Sequence, residues 1–414
     1  MTDHYDLVIV GGGLVGASLA VALRSSGLEI AVIEPHPFDS QEQPSYDERT
    51  VALTWSTRQI FQGMGIWEEI AEAGAEPILD IHVSNLGHFG MSHLSCREVG
   101  TEALGYVVPT RALGKVLEAY LQGCDSIELM RPATAESLVS DHNHCTVKVE
   151  RNNSIVELTA RLAVLADGGR STLTKSFNTR KTDYIQQALL CIVRCDRPHG
   201  GRAYERFTNE GPLALLPHSK QRYAVVWTCL PEQVDQRMGM DDREFIQALQ
   251  QRLGDRAGNF SDPSPRKSYP LSRSNLDRVT RERIVVIGNA AHIVHPVAGQ
   301  GFNLGMRDVA ALSEILFTHN QVGSDIGSVE CLQQYARQRR RDTFMVGQFT
   351  HGLIEIFSSD NKILSLLRNL ALSGVEVLPP AKKFLLKRTM GMAGRQPRLA
   401  LGLPLTSEDA SISK

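Results

Sequence analysis

Asp6 to Val10 is an apolar run whose β-branched Val8, Ile9 and Val10 predict a buried strand. It passes directly into Gly11-Gly12-Gly13-Leu14-Val15-Gly16, and the small and apolar residues from Ala17 to Ser25 predict a buried helix that Gly27 stops. A second apolar strand, Ile30 to Ile33, ends in Glu34. Strand, glycine turn, helix and strand together make a βαβ unit.

Strand patterning takes over further along. Cys145 to Glu150 and Ile155 to Thr159 flank a polar Arg151-to-Ser154 turn as a hairpin, and Leu162 to Ala166 reads as a further apolar strand. Ala188 to Cys195, Arg202 to Phe207, Pro212 to Leu216 and Arg222 to Leu230 keep strand character. Asp241 and Glu244 stand at capping-box spacing and start a helix reaching Leu253. Arg283 to Ile287 predicts a short buried strand and Asn303 to Phe317 a helix. From Val346 onward the pattern is helical with Gly and Pro breaks, and Thr406 to Lys414 frays. The fold class is α/β with α+β elements: a Rossmann-like domain, an interleaved antiparallel-sheet domain and C-terminal helices.

Composition narrows the function. With 44 Lys+Arg against 46 Asp+Glu over 414 residues, no global basic field favours nucleic acid as a partner. Seven scattered cysteines do not form a disulfide framework and fit a reducing cytoplasm. The uncharged run from Leu7 to Leu23 is 17 residues long and follows Asp3 and Asp6. It is too short for a typical span of about 20 residues and has the wrong flank for a signal peptide.

Three motifs carry chemistry. In Gly11-x-Gly13-x-x-Gly16, the first glycine permits a tight turn, the second lets a pyrophosphate approach the backbone, and the third lets helix and strand pack closely. Glu34 stands where an acid accepts from a ribose hydroxyl, which favours FAD or NAD over NADP. Asp167-Gly168, after the Leu162-to-Ala166 strand, is by itself an ordinary Asp-Gly turn. Val286-Ile287-Gly288-Asn289-Ala290-Ala291-His292, then Pro296, then Gly299-Gln300-Gly301-Phe302-Asn303-Leu304-Gly305-Met306-Arg307-Asp308, couples a buried strand to a glycine-rich helix start.

With Asp47-Glu48-Arg49 and Ala52-Leu53, these motifs resemble the single-component FAD aromatic hydroxylases over residues 4–345. Tyr204-Glu205-Arg206-Phe207-Thr208, Gly211-Pro212-Leu213-Ala214 and the run from His295 to Asp308 are similar to members that act on prenylated phenols in ubiquinone biosynthesis. The resemblance implies an FAD-binding domain over 1–78, 98–177 and 275–345, a substrate domain over 79–97 and 178–274, and a C-terminal helical region over 346–414. It places Gly11, Gly13, Gly16, Glu34, Arg49, Arg111, Asp167, Gly168, Asn289, Gly301, Asn303 and Leu304 around FAD. Pro296, Gly299, Gln300 and Gly301 then lie near the ring, where helix N-terminal amides stabilise negative charge on the reduced flavin. Arg111, after Pro109-Thr110, reads equally as a solvated arginine at a helix start. Most of the family has Asp at Asn289, so that contact keeps its hydrogen bond and loses its charge.

The implied co-substrates are O2, a prenylated phenol and NAD(P)H, the last as a transient reductant because only one full fingerprint follows a strand. A ubiquinone-biosynthesis complex, peripheral contact with the inner membrane and a homo-oligomer are compatible with this; no general base is identified. A halogenase or prenyl reductase on the same fold is an alternative. The halogenase reading is weakened because the first lysine is Lys115. A sibling hydroxylase acting at another ring carbon, or a non-catalytic FAD-fold assembly subunit, also stays open.

Other signals are discounted. His292-x-x-His295 lacks a further ligand at metal spacing, so no metal is expected. His142, His144 and Cys145 read as a polar loop, Cys191 and Cys195 as core, and Arg337, Arg339, Arg340 and Arg341 as a solvated or domain-packing face. Lys382, Lys383, Lys387, Arg388, Arg395 and Arg398 interleave with Phe384, Leu385, Leu386 and Met390. If Ala381 to Met390 is helical, this stretch is either a lipid-facing surface or a packed helix with a solvated basic side.

Overall fold

The structure, a computed structural model, describes residues 3–37, 49–87, 90–294, 299–358, 374, 376 and 378–406. Its first sheet is built on β1 (Asp3–Val10), whose alternation sends Leu7 and Ile9 into one apolar cluster and Val8 and Val10 into another. Such a strand must be covered on both faces, and it sits inside the sheet. β2 (Ile30–Ile33) and β11 (Ser154–Leu165) flank it in parallel. β8 (Ile127–Met130) extends the parallel set beyond β2, and β19 (Ile284–Val286) extends it beyond β11. β9 (Thr134–Ser140) and β10 (Cys145–Arg151) add an antiparallel ribbon on β11, and β18 (Thr280–Arg281) closes the far edge.

Two sequence expectations change here. The hairpin's return strand and the Leu162-to-Ala166 strand are one strand, β11, because β1 pairs along it from Leu158 to Leu165. Polar Arg161 interrupts the apolar pattern without interrupting the strand, since its guanidinium bonds Asp6 at 3.0 Å and the Ser324 carbonyl at 3.0 Å. Helix α1 (Leu14–Ala22) begins directly after Gly13 and ends before Ser25. A Ser26 side chain on the Leu23 carbonyl and Gly27 at φ +74° then turn the chain toward β2.

The second sheet runs β20 (His292–Ile293), β17 (Lys267–Leu276), β12 (Thr179–Cys195), β15 (Arg222–Cys229), β14 (Gly211–His218), β13 (Arg202–Thr208), β5 (Asp80–Asn85), β6 (Met91–Ser95), with β16 (Phe260–Ser261) on β12. It is antiparallel except where β13 pairs in parallel with β5. One face packs Leu189, Leu213, Leu215, Tyr223 and Trp227 against Phe245 and Leu249 of α6 (Asp242–Leu253), which carries the expected capping box; α5 (Pro231–Gly239) precedes it. The other face packs Ala203, Val83 and Leu216 against Leu104, Val107, Leu386 and Met390. A small sheet, β3 (Thr50–Thr54), β7 (Gly105–Pro109) and β4 (Glu76–Ile78), stands between the two larger ones in the chain's path.

Helices α2 (Trp55–Gly63), α3 (Trp67–Glu72) and α4 (Thr110–Gln122) join α1 over the first sheet. Helix α7 (Gln300–Gln321) starts three residues before the expected Asn303, and α8 (Val329–Ser358) runs straight through Gly347 and Gly352 where breaks were expected. Helix α9 (Pro379–Thr389) follows. Residues 407–414, expected to fray, lie outside the described residues. No helix among the described residues is long and apolar enough to cross a membrane.

Candidate active site

The C-terminal ends of parallel strands β1, β2, β11 and β19 open on one edge of the first sheet, where this topology forms a ligand crevice. Gly11 leaves β1 at φ +106°, and a Cβ there would lie 2.7 Å from the Ala166 and Asp167 backbone. A Cβ on Gly16 would lie 1.9 Å from the Gly11 carbonyl oxygen. Both glycines are therefore required by close approach alone. Gly13 caps α1 in an extended conformation with no side-chain hydrogen bond, so the amides of the first turn remain available to an anion.

Glu34, only 4% exposed at the end of β2, accepts from the Gly12 amide at 2.8 Å and the His36 amide at 3.0 Å. Those bonds fix the carboxylate against the glycine turn and leave a lone pair on each oxygen for a ribose hydroxyl. Across the crevice, Asp167 accepts from Gly169 N at 3.0 Å and Ser171 N at 2.7 Å. Gly168 and Gly169 both hold positive φ, which closes the turn tightly beside Gly11. Asn289 is exposed, on a short turn whose backbone meets Gly169.

The glycines of the third motif serve packing between α1, the Gly288 turn and α7. Val15 is wedged between them: a Cβ on Gly288 would lie 3.1 Å from it, and one on Gly305 would lie 3.0 Å. Gly299 caps α7 at φ +61°. Gly301 is roomy, with Val294 at 4.0 Å from an added Cβ. Gln300 is buried and reaches the Thr389 carbonyl at 3.4 Å, and Leu304 is buried beside it.

The Asn303 side chain, at a position expected beside the cofactor, is bonded within the protein. Its amide oxygen accepts from Thr54 N at 2.8 Å and Thr57 Oγ1 at 2.7 Å. Its Nδ2 donates to the Ala52 carbonyl at 2.7 Å and the Gly299 carbonyl at 2.6 Å. All four hydrogen-bonding places are filled within the protein, tying α7 to β3 and α2. Arg49 and Arg111 meet through Thr110, whose N–H and hydroxyl donate to the Arg49 carbonyl at 2.9 and 3.0 Å. The Arg49 guanidinium lies over the Tyr269 ring of β17 at 4.9 Å, so it bridges to the second sheet. Pro296, His295, Asp47 and Glu48 lie outside the described residues.

Sequence reasoning missed a buried charge network beneath the Gly288 turn. Asp308 accepts from Gly288 N at 2.9 Å and His292 Nε2 at 2.6 Å through one oxygen, and from Arg339 Nε at 2.6 Å through the other. Arg339 also pairs with Asp342, which bonds Arg307 at 2.8 Å. Burial alone would raise the Asp308 pKa, but His292, Arg339 and the Gly288 amide hold it down at about 2. Arg339 is thus 5% exposed and not part of a solvated run. His292, weighed as half of a metal pair, is committed to Asp308. The signal in the sequence was the Arg339/Asp342 spacing of one helical turn.

Two further expectations are corrected. Cys145 is fully buried and donates to the Ala160 carbonyl, while His142 and His144 are exposed. Burial pushes the Cys145 thiol up to about 12, so it is inert core. In α9 the basic stretch divides: Lys382 is buried and paired with Glu98 at 2.9 Å and Glu376 at 3.0 Å, which raises its pKa against the lowering effect of burial. Leu386 and Met390 face the second sheet, and Phe384 stays 64% exposed.

Comparison with known proteins agrees with this geometry. A family model described as the FAD binding domain matches residues 4–349. The chain is similar to the ubiquinone hydroxylase UbiL of Rhodospirillum rubrum, 33% identical over 97% of this chain and 93% of that protein. It is 28% identical to the 3-demethoxyubiquinol 3-hydroxylase of Escherichia coli, over 94% of this chain and 98% of that one. Its fold matches the crystal structure of p-nitrophenol 4-monooxygenase PnpA from Pseudomonas putida with a TM-score of 0.80 at 18% identity, covering 96% of this chain and all of that one.

Proposed function

We propose that this chain, which belongs to the FAD-binding domain family and is an FAD-dependent monooxygenase, hydroxylates the ring of a polyprenylated phenol of the 2-octaprenyl-6-methoxyphenol type in ubiquinone biosynthesis, with NAD(P)H and O2 as co-substrates. The observation that supports the reading is a strand-end crevice with a glycine turn, an open α1 N-terminus and Glu34, in a chain that aligns over 97% of its length with a ubiquinone hydroxylase. The 6-methoxyphenol assignment rests on the Tyr204-to-Thr208, Gly211-to-Ala214 and His295-to-Asp308 motifs.

The residues present fit FAD. The uncapped α1 amides and the Gly11–Gly16 turn would hold the diphosphate, Glu34 the ribose, and Asn289 the chain toward the ring. When bound, the flavin supplies the redox chemistry that activates O2 and delivers one oxygen atom to the substrate. The α7 N-terminus offers amides to negative charge at the ring. A long prenyl tail partitions into lipid at about 0.8 kcal/mol per buried CH₂. We therefore place the enzyme at the cytoplasmic face of the inner membrane, with exposed Phe384, Lys383 and Lys387 as its contact.

A second reading, hydroxylation at another ring carbon, is favoured by the name of the Escherichia coli relative. Deleting the gene in its native host and profiling prenylated intermediates separates the two. Accumulated 2-polyprenyl-6-methoxyphenol supports the proposal, whereas an accumulated demethoxyubiquinol overturns it in favour of the second reading. An unchanged profile, from a protein whose bound yellow flavin does not oxidise NAD(P)H, would leave an assembly role instead.

A further inference from the structure

Between α7, α8 and the segment after α9 lies a cavity of about 810 Å³, within the size range of small-molecule sites. It includes none of the residues assigned to FAD above. Ala311 and Ile315 of α7 give it an apolar floor. Arg337 and Arg341 of α8, Arg388 at the end of α9 and Arg395 line its sides.

The charge around this space does not balance. Six arginines line it against two carboxylates, Glu314 and Asp342. Asp342 is already shared by Arg307 and Arg339. Glu314 accepts from the Arg398 amide at 3.3 Å. Among the described residues, Arg337, Arg341, Arg388 and Arg395 have no carboxylate partner: Arg337 bonds only the Gln333 carbonyl, and Arg388 lies over the Phe384 ring at 5.8 Å. Guanidinium groups gathered round one concave, partly apolar space raise its positive potential, and an anion offsets that repulsion. Their planar donor pairs match phosphate oxygens, while Ala311 and Ile315 match hydrocarbon.

We propose that this cavity binds an amphiphile whose phosphate headgroup carries net negative charge, with the headgroup among the four arginines and the apolar part on α7. The shared chemistry is a phosphate anion, which a phospholipid or free phosphate supplies. The site is independent of the ring-hydroxylation reading, because the test reads binding alone.

The test is calorimetric titration of the FAD-loaded protein at low salt with three probes: monomeric dihexanoyl phosphatidylglycerol, dihexanoyl phosphatidylcholine and inorganic phosphate. Saturable binding of the phosphatidylglycerol, at least tenfold tighter than either other probe, is expected. Arg341→Ala combined with Arg395→Ala, at two exposed positions, should weaken it at least tenfold with FAD content unchanged. Ala393→Trp fills the mouth while keeping every arginine, and it too should abolish binding. Phosphate binding as tightly as the lipid would overturn the apolar half of the proposal and leave a free-phosphate site. Equal binding of phosphatidylcholine, undiminished binding by both variants, or no binding of any probe would overturn the proposal outright.

Discussion

Replacing Asp308 by Asn tests how the Gly288 turn is held. The substitution keeps size and one acceptor oxygen, so the 2.9 Å bond from Gly288 N can persist. That oxygen also keeps His292 Nε2, so the other carboxylate oxygen becomes an NH₂ donor facing Arg339 Nε, which now bonds oxygen at 2.6 Å. Removing one member of a buried ion pair costs about 3–5 kcal/mol, because the other charge stays behind. Arg339 retains Asp342, which brings the expectation to the lower end, about 3 kcal/mol. The same carboxylate sets an acid limb in the parent protein. Its folded pKa of about 2 lies below the ordinary 3.8, so its stabilisation is complete above pH 3.8 and is lost as pH falls toward 2. At 1.36 kcal/mol per unit, that limb is roughly 2 kcal/mol. Urea unfolding followed by circular dichroism, at pH 7 and then down to pH 2, measures both. A loss below about 1 kcal/mol at pH 7, with the parent's acid limb intact in the variant, would refute the role given to Asp308.

Four other outcomes follow from the same geometry. Gly16→Ala places a Cβ 1.9 Å from the Gly11 carbonyl and should yield protein without yellow flavin; a fully coloured variant would show that the turn relaxes cheaply. Asn303→Ala leaves the Thr54 amide and the Ala52 and Gly299 carbonyls without that partner and should cost about 2–4 kcal/mol in a urea titration, against under 1 if water replaces the side chain. Asn289→Asp, at an exposed position, should bind FAD within a few-fold of the parent; a loss of about 1.5–3 kcal/mol would mean that the local field rejects an anion. Glu205 shares the apolar face of β13 with Ala203, and burial raises its carboxyl to about 7. The folded state then keeps its proton longer than the unfolded one, so stability falls as pH rises from 4.5 to about 7 and is level above. Because the side chain is only half-buried, Glu205→Gln should gain about 1–2 kcal/mol at pH 8 and flatten that slope in thermal melts; an unchanged slope would assign it elsewhere.

The βαβ unit was legible because everything that makes it is local. An apolar strand, a glycine turn, a helix and an acid follow one another within 34 residues. Glu34 and the three fingerprint glycines all lie at the crevice for the same reason. What escaped was set by contacts between distant residues. Asn303 looks like part of a glycine-rich helix start, and nothing in the string relates it to Thr54, 249 positions earlier. Arg161 looks like a strand break until Asp6 is seen across from it. Arg339 and Lys382 sit in basic runs that read as solvated, yet each is drawn inside by a pair of carboxylates contributed in part by other elements. Charge in a run is assigned to solvent by default, and only tertiary pairing reverses that.

The strand order has a consequence for the chain while it is being made. β1 takes β2 as a neighbour almost at once, but its other neighbour, β11, ends at Leu165, and β11's outer partner, β19, begins only at Ile284. At ribosomal rates of about 5–20 residues per second, the interval between β11 and β19 lasts roughly 6–24 s. Throughout it, Ala163, Val164 and Leu165 present an open, wholly apolar edge of the kind that templates mispairing. Parallel partners that arrive late are also the slowest to close. Soluble yield on overexpression should therefore follow how long that edge waits, rising with chaperone supply and with cooler growth even where the finished protein is stable.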